Sequence, residues 1–129
     1  MKLQIKSSEK SIHFQVCEYI RYQYPNVIFN TDLSGIRLTI GQATQAKRLR
    51  SNNGFPDIVI YEQRHGYNAL FIELKKEGTK LFNKSGRPIN EHVKEQIEMH
   101  EKLNTRHYYV SFAIGFDQAI KLIDWYLKD

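Results

Sequence analysis

The chain is almost without cysteine. Cys17 stands alone among 129 residues, so no internal disulfide can staple the fold, and a reducing compartment is expected. Long apolar runs are missing too. No stretch approaches the roughly 20 apolar residues that a membrane-spanning helix needs. The N-terminal MKLQIKSSEK is polar where a signal peptide would be apolar. The five histidines, His13, His65, His92, His100 and His107, show no zinc-binding spacing with cysteine. There is no internal repeat and no low-complexity linker. These absences exclude a disulfide scaffold, a helical membrane protein and a cysteine-based zinc module. They leave a single domain over residues 1–129, long enough to bury a core without staples, and an expected cytoplasmic location.

Positive charge is in moderate excess: 19 Lys and Arg face 14 Asp and Glu, a net charge of +5. That is compatible with a polyanionic partner, although many proteins without one share it. Hydrophobic periodicity and breakers divide the chain into elements. SSEKSIHFQVCEYIRYQY reads as a helix capped by Ser7 or Ser8, with Ile12, Val16, Tyr19 and Ile20 recurring on one face and Pro25-Asn26 as its stop. NVIFN is a short strand, TDLSG a turn, and IRLTI a second strand or an extended loop. GQATQAKRLRSNNG predicts a short helix ending before Asn52-Asn53-Gly54. A hairpin follows, then the turn-rich loop EGTKLFNKSGRPIN. EHVKEQIEMHEKLN is a helix capped by Asn90, with a stripe of Ile89, Val93, Ile97, His100 and Leu103. HYYVSFAIG is a strand of β-formers, and FDQAIKLIDWYLKD a final helix capped by Asp117. The order α-β-(α)-β-β-α-β-α predicts an α/β sandwich around a small mixed sheet.

The hairpin NNGFPDIVIYEQRHGYNALFIELKK carries charge where strands prefer apolar residues: Asp57 opens its first run, and Glu73 and Lys75 close its second. A three-residue loop at Arg64-His65-Gly66, with Gly66 left-handed, sets Asp57 opposite Glu73. Side-chain alternation then puts Asp57, Glu73 and Lys75 on one face and Ile58, Ile60, Leu70, Ile72 and Leu74 on the other, the core face. Two carboxylates roughly 5 Å apart repel by about 3 kcal/mol at an effective dielectric of about 20. Protonation, Lys75 or a divalent cation could offset this. A hard cation such as Mg²⁺ commonly uses one or two carboxylates together with substrate phosphate, lowers the pKa of bound water and stabilises charge on a phosphoryl group. Lys75 could orient that water or neutralise developing charge.

GFPDIVI, FIELKK and the KEQ of the next helix resemble the PD-(D/E)xK nuclease superfamily, and most closely its virus-type replication-repair nuclease (VRR-NUC) domain. The match runs from about Gly54 to Gln96, and the element order fits over nearly the whole chain. The resemblance implies a restriction-endonuclease-like sandwich. It implies that Asp57 and Glu73 bind Mg²⁺ or Mn²⁺ with the Leu74 carbonyl as third ligand, that Lys75 is catalytic, and that Gln96 supports the nucleophile or the substrate phosphate. It also calls for a glutamate on the first helix. Glu9 and Glu18 are the candidates, and Glu9 is preferred because it lies in phase with Ile12, Val16 and Ile20.

Lys47, Arg48 and Arg50 before the hairpin, and Lys76 and Lys80 after it, are expected to contact DNA phosphates without regard to sequence. Tyr19, Tyr22 and Tyr24 are expected to edge the core rather than stack on bases, and Cys17 to be inert. The resemblance implies an endonuclease acting on DNA in replication or repair, on branched substrates such as Holliday junctions or flaps, as a homodimer, in a bacterial or phage-infected cell. Three alternatives stand beside it: a nicking or restriction-type endonuclease, a catalytically silent nucleic-acid-binding module, and a protein-interaction domain with no nucleic-acid partner.

Overall fold

The computed structural model describes residues 8–32 and 38–128. Its elements are α1 (Glu9–Gln23), β1 (Phe29–Thr31), α2 (Ile40–Arg48), β2 (Ile58–Ile60), β3 (Leu70–Lys75), α3 (Glu91–Asn104), β4 (Tyr109–Ile114) and α4 (Phe116–Leu127). The order is the one expected from the sequence. The sheet runs β1-β2-β3-β4, antiparallel at the first two pairings and parallel at the third. Antiparallel neighbours need only tight turns, whereas the parallel step from β3 to β4 needs a long crossover, which α3 supplies.

The main core lies between the sheet and α1 with α4. Ile12, Val16, Cys17 and Ile20 of α1 meet Ile58, Ile60, Leu70, Ile72 and Leu74 of the sheet and Ala119, Ile123, Tyr126 and Leu127 of α4. Each fully buried branched aliphatic contributes about 1.5–3 kcal/mol, so this alternating face of β2 and β3 fixes the sheet's orientation. Burial of Cys17 pushes its thiol pKa up, as expected of an inert core cysteine. The opposite face of β3 and β4 receives α3. His100 of that helix lies against the Phe112 ring with centroids 4.5 Å apart. Among the described residues no helix is long and apolar enough to cross a membrane.

Local chemistry decides the element ends. Ser8 caps α1 by accepting the Ser11 N–H, and Asn90 caps α3 by accepting the Val93 N–H. Three boundaries differ from the sequence reading. First, α2 starts at Ile40, because Thr39 and Gln42 close a reciprocal capping box. Leu38 and Thr39 are therefore not in a strand, while the rest of that segment, and most of the turn expected at 31–35, lies outside the described residues. Second, the cap of α4 is Gly115, with φ +86°, not Asp117, which lies inside the first turn. Third, the hairpin turn has two residues rather than three. His65 and Gly66 both have positive φ, 55° and 82°, and Arg64 pairs with Tyr67, the geometry of a type I′ turn.

The turn correction leaves the hairpin register intact. Between the Arg64–Tyr67 bridge and the Ile60–Leu70 pair, the first strand spends one residue more than the second. That extra residue absorbs the shorter turn, so Ile58 faces Ile72 and Ile60 faces Leu70. The expected stripe of α3 is rotated as well. Val93, Gln96, Met99 and His100 are buried, whereas Ile89 is 44% exposed.

Candidate active site

The β1–β2–β3 ladder gathers three acids at one end of the sheet: Asp32 just after β1, Asp57 just before β2 and Glu73 within β3. Beyond Thr31–Ile58, the Asp32 N–H donates to the Asp57 carbonyl at 2.8 Å. On the other side of Asp57, the Ile58–Ile72 register brings Glu73 alongside. The ladder stops here because Pro56 has no N–H to offer. The Asp57 side chain takes over instead, with Oδ2 accepting the Leu74 N–H at 2.7 Å. The N–H and C=O of one strand residue point to the same side, so the Leu74 carbonyl also lies on the Asp57 side of β3.

Gly54 lets this loop reach α3. Its φ is +82°, and a Cβ there would stand 2.9 Å from the Glu95 carbonyl oxygen and 3.3 Å from the Gln96 Cα. Any larger residue would therefore push the Pro56-Asp57 segment off the helix that carries Gln96.

Asp57, Glu73, Lys75, Gln96 and His100 form the buried polar set of the described residues, none more than 6% exposed. A polar cavity of about 310 Å³ opens on Asp57, Glu73 and Gln96, while Lys75 and His100 lie behind its lining. Glu9, Asp32, Arg50, Asp57, Glu73 and Gln96 are among the residues that line it, and His92 and Glu95 come from α3. Glu9 therefore reaches the cavity, whereas Glu18 pairs with Arg21 at 2.8 Å on the outer face of α1.

The electrostatics are unbalanced. Burial, then a hydrogen bond to Asp57 and that residue's charge, hold the Glu73 carboxyl well above the usual carboxylate range, and Lys75 opposes them. Burial raises Glu9 as well, against the pull of Lys75. Burial, with the Lys75 charge, lowers the His100 imidazole to about 4. Among the described residues four buried side-chain atoms lack a hydrogen-bond partner, and three of them belong to this cluster: Glu73 Oε1, Gln96 Oε1 and His100 Nε2. Buried polar atoms are normally paired, so their concentration at one place marks a site built to receive something. Two converging carboxyls with an orphaned oxygen fit a hard divalent cation. No three or more His, Cys, Asp or Glu side chains close into a ready-made cage among the described residues. A cation bound by few protein groups, with water and phosphate completing its shell, is the usual pattern for Mg²⁺.

The basic residues divide. Arg50 lines the cavity and pairs with Asp32 at 3.0 Å. Lys47 and Arg48 end α2, an exposed helix that packs on no other described helix or strand. Lys76 follows the site directly and flanks a groove with Glu9 and Lys10. Lys80 lies on the exposed loop beyond, outside the cavity lining. Tyr19 and Tyr24 edge the core, and Tyr22 is 87% exposed.

Sequence reasoning missed Asp32, His92 and His100 as neighbours of the site. For the histidines the signal was present: His92, Gln96 and His100 recur every fourth residue on α3 and so share one face. Gln96 Nε2 lies 3.2 Å from His92 Nε2, and His100 Nε2 lies 3.8 Å from Glu73 Oε1. For Asp32 nothing local in the sequence distinguishes it from a turn aspartate.

No protein-family model and no curated protein matches this chain. Solved structures do. One, a VRR_NUC domain protein, is similar with a TM-score of 0.66 at 24% identity over 97% of this chain and 92% of its own. Another, a VRR_NUC domain, gives 0.48 at 22% identity over 88% and 95%. The first of these agrees with the element order and the sheet described above, and the chain has the fold of a VRR-NUC domain.

Proposed function

We propose that the protein is a nuclease: a Mg²⁺- or Mn²⁺-dependent endodeoxyribonuclease that hydrolyses phosphodiester bonds in branched DNA such as Holliday junctions or flaps. The observation that carries this reading is the buried convergence of Asp57 and Glu73 on a polar cavity, with buried Lys75 close enough for its charge to act on Glu73, in a VRR-NUC fold. A pair of carboxyls held together needs a cation, and an ammonium buried beside them needs an anion. When bound, the metal would supply a water of lowered pKa and a positive charge against the phosphoryl oxygens.

The chain's own groups have separate roles. Asp57 and Glu73 hold the cation, with the Leu74 carbonyl on the same side of β3 and Glu9 across the cavity. Lys75 is the group placed to stabilise the negative charge that develops on the scissile phosphate. Gln96 offers Oε1 to the attacking water. Arg50 at the rim, and Lys47, Arg48, Lys76 and Lys80 around it, attract the DNA backbone. A homodimer would set two sites in a two-fold relation, as two symmetric cuts in a junction require.

The test is purified protein with Mg²⁺ or Mn²⁺ against single-stranded, duplex, flap and four-way-junction DNA. Cleavage of flap or junction ahead of duplex is the expected result. Preference for intact duplex would favour a nicking enzyme. DNA binding without cleavage under any metal would leave a silent binding module.

A further inference from the structure

We propose that His100 is the positioning residue for Glu73: its Nε2–H holds Glu73 Oε1 so that the rest of the carboxylate is aimed at the cation. The inference rests on the metal-binding reading above and assigns to that site a residue that stands outside its PD…ExK pattern.

Two orphans face each other. Glu73 Oε1 and His100 Nε2 are both buried without a hydrogen-bond partner, and they stand 3.8 Å apart. That exceeds the 2.7–3.2 Å of an N–H···O bond by less than the reach of one side-chain adjustment. Packing aims the imidazole there: its ring lies against Phe112 of β4, and Phe112 is the parallel-strand partner of Glu73 itself. The ring, the acid and their spacing are therefore fixed by one ladder position and one helix turn.

As a metal ligand Glu73 would be a carboxylate, an acceptor on both oxygens. A buried carboxylate with one free oxygen requires a donor, and His100 is the group that faces it. Carboxylate ligands are commonly held by such outer partners, whose loss weakens metal binding by 10- to 100-fold.

The experiment is calorimetric titration of Mn²⁺ alone, without DNA, into wild type, His100→Leu and His100→Gln, with melting of each protein in EDTA. Leu is close in volume and has no donor, whereas Gln carries an amide N–H at about the reach of Nε2. We expect His100→Leu to bind Mn²⁺ at least about 10-fold more weakly while melting in EDTA no lower than wild type, because an unpaired polar atom leaves the core. His100→Gln should recover most of the affinity. Equal Mn²⁺ affinity in wild type and His100→Leu would overturn the proposal and leave the metal site standing. Should His100→Leu fail to fold, the Gln variant decides: a folded His100→Gln with affinity as poor as the Glu73→Gln site variant would refute donation. A wild type that binds no Mn²⁺ would sink both this inference and the metal reading.

Discussion

Asp124 and Glu73 are both acids drawn into the fold, and their surroundings are opposite. Asp124 lies where α4 meets α1. Its Oδ1 accepts hydroxyl hydrogens from Tyr19 and Tyr24, each at 2.6 Å, and Lys128 stands 3.5 Å from Oδ2. Burial alone would raise its carboxyl, but the two hydroxyls and Lys128 outweigh that and hold it below its ordinary value. Glu73 has another acid for a neighbour, an orphaned oxygen and a neutral imidazole out of bonding range. A completed acid clamps helices together and asks for nothing more. An uncompleted one lowers stability and is tolerated where something outside the chain finishes it.

The sharpest way to break this contrast is at Lys75. Lys75→Ala should leave DNA and metal binding in place while single-turnover cleavage falls by about 100- to 1,000-fold, the cost of removing one charge-stabilising group from a transition state. Cleavage at the wild-type rate would remove Lys75 from the chemistry without touching the enzyme class.

Glu73→Gln tests whether the acid is held at a cost. The folded-state pKa of Glu73 is raised, so its favourable contribution is present below the unfolded value of about 4.3 and is lost as pH rises toward the folded one. At neutral pH in EDTA the amide should therefore raise stability, by an amount of order 1 kcal/mol or a few degrees in Tm, while metal binding and cleavage are lost. A clear fall in Tm would show that Glu73 is as well compensated as Asp124.

Asp124→Asn should do the reverse: stability falls by about 1–3 kcal/mol, the worth of hydrogen bonds to a charged group, and cleavage well below the transition persists. Because the folded pKa of Asp124 is depressed, its contribution is present above the unfolded value and disappears as pH falls through the folded one. Tyr19, raised to about 12 by burial and by Asp124, loses its part as pH climbs from about 10. A variant whose acid and alkaline melting limbs match those of wild type would dissolve the clamp.

The smallest effect belongs to the exposed cations. Replacing Lys47 and Arg48 by Ala should change stability by under about 0.5 kcal/mol and reduce the salt slope of DNA binding by roughly one for each phosphate that is no longer neutralised. An unchanged slope would make the end of α2 merely a solvated face.

Most of the strand pattern was legible because alternation is written locally. Ile58, Ile60, Leu70, Ile72 and Leu74 announce one face, and the charged residues between them another. The turn was misread, since Arg64-His65-Gly66 suits a three-residue loop by composition, while a left-handed His65 depends on its setting. There His65 stacks on Trp125 with centroids 4.4 Å apart. The cap of α4 was misplaced for a related reason: Asp117 is a good capping residue in isolation, but Gly115 satisfies the sharp exit from β4 that the parallel pairing imposes.

By itself the sequence determined the order of elements, the buried face of the hairpin and the identity of Asp57, Glu73, Lys75 and Gln96 as charged or polar groups set among apolar runs. Periodicity and short-range spacing carry that information, because strand and helix repeats are local geometry. Tertiary structure alone decided that Asp32 holds Arg50 at the rim of the cavity and that His100 stands behind Glu73. Those relations join residues far apart in the chain, and they follow from which helix face the packed sheet admits rather than from any spacing along it.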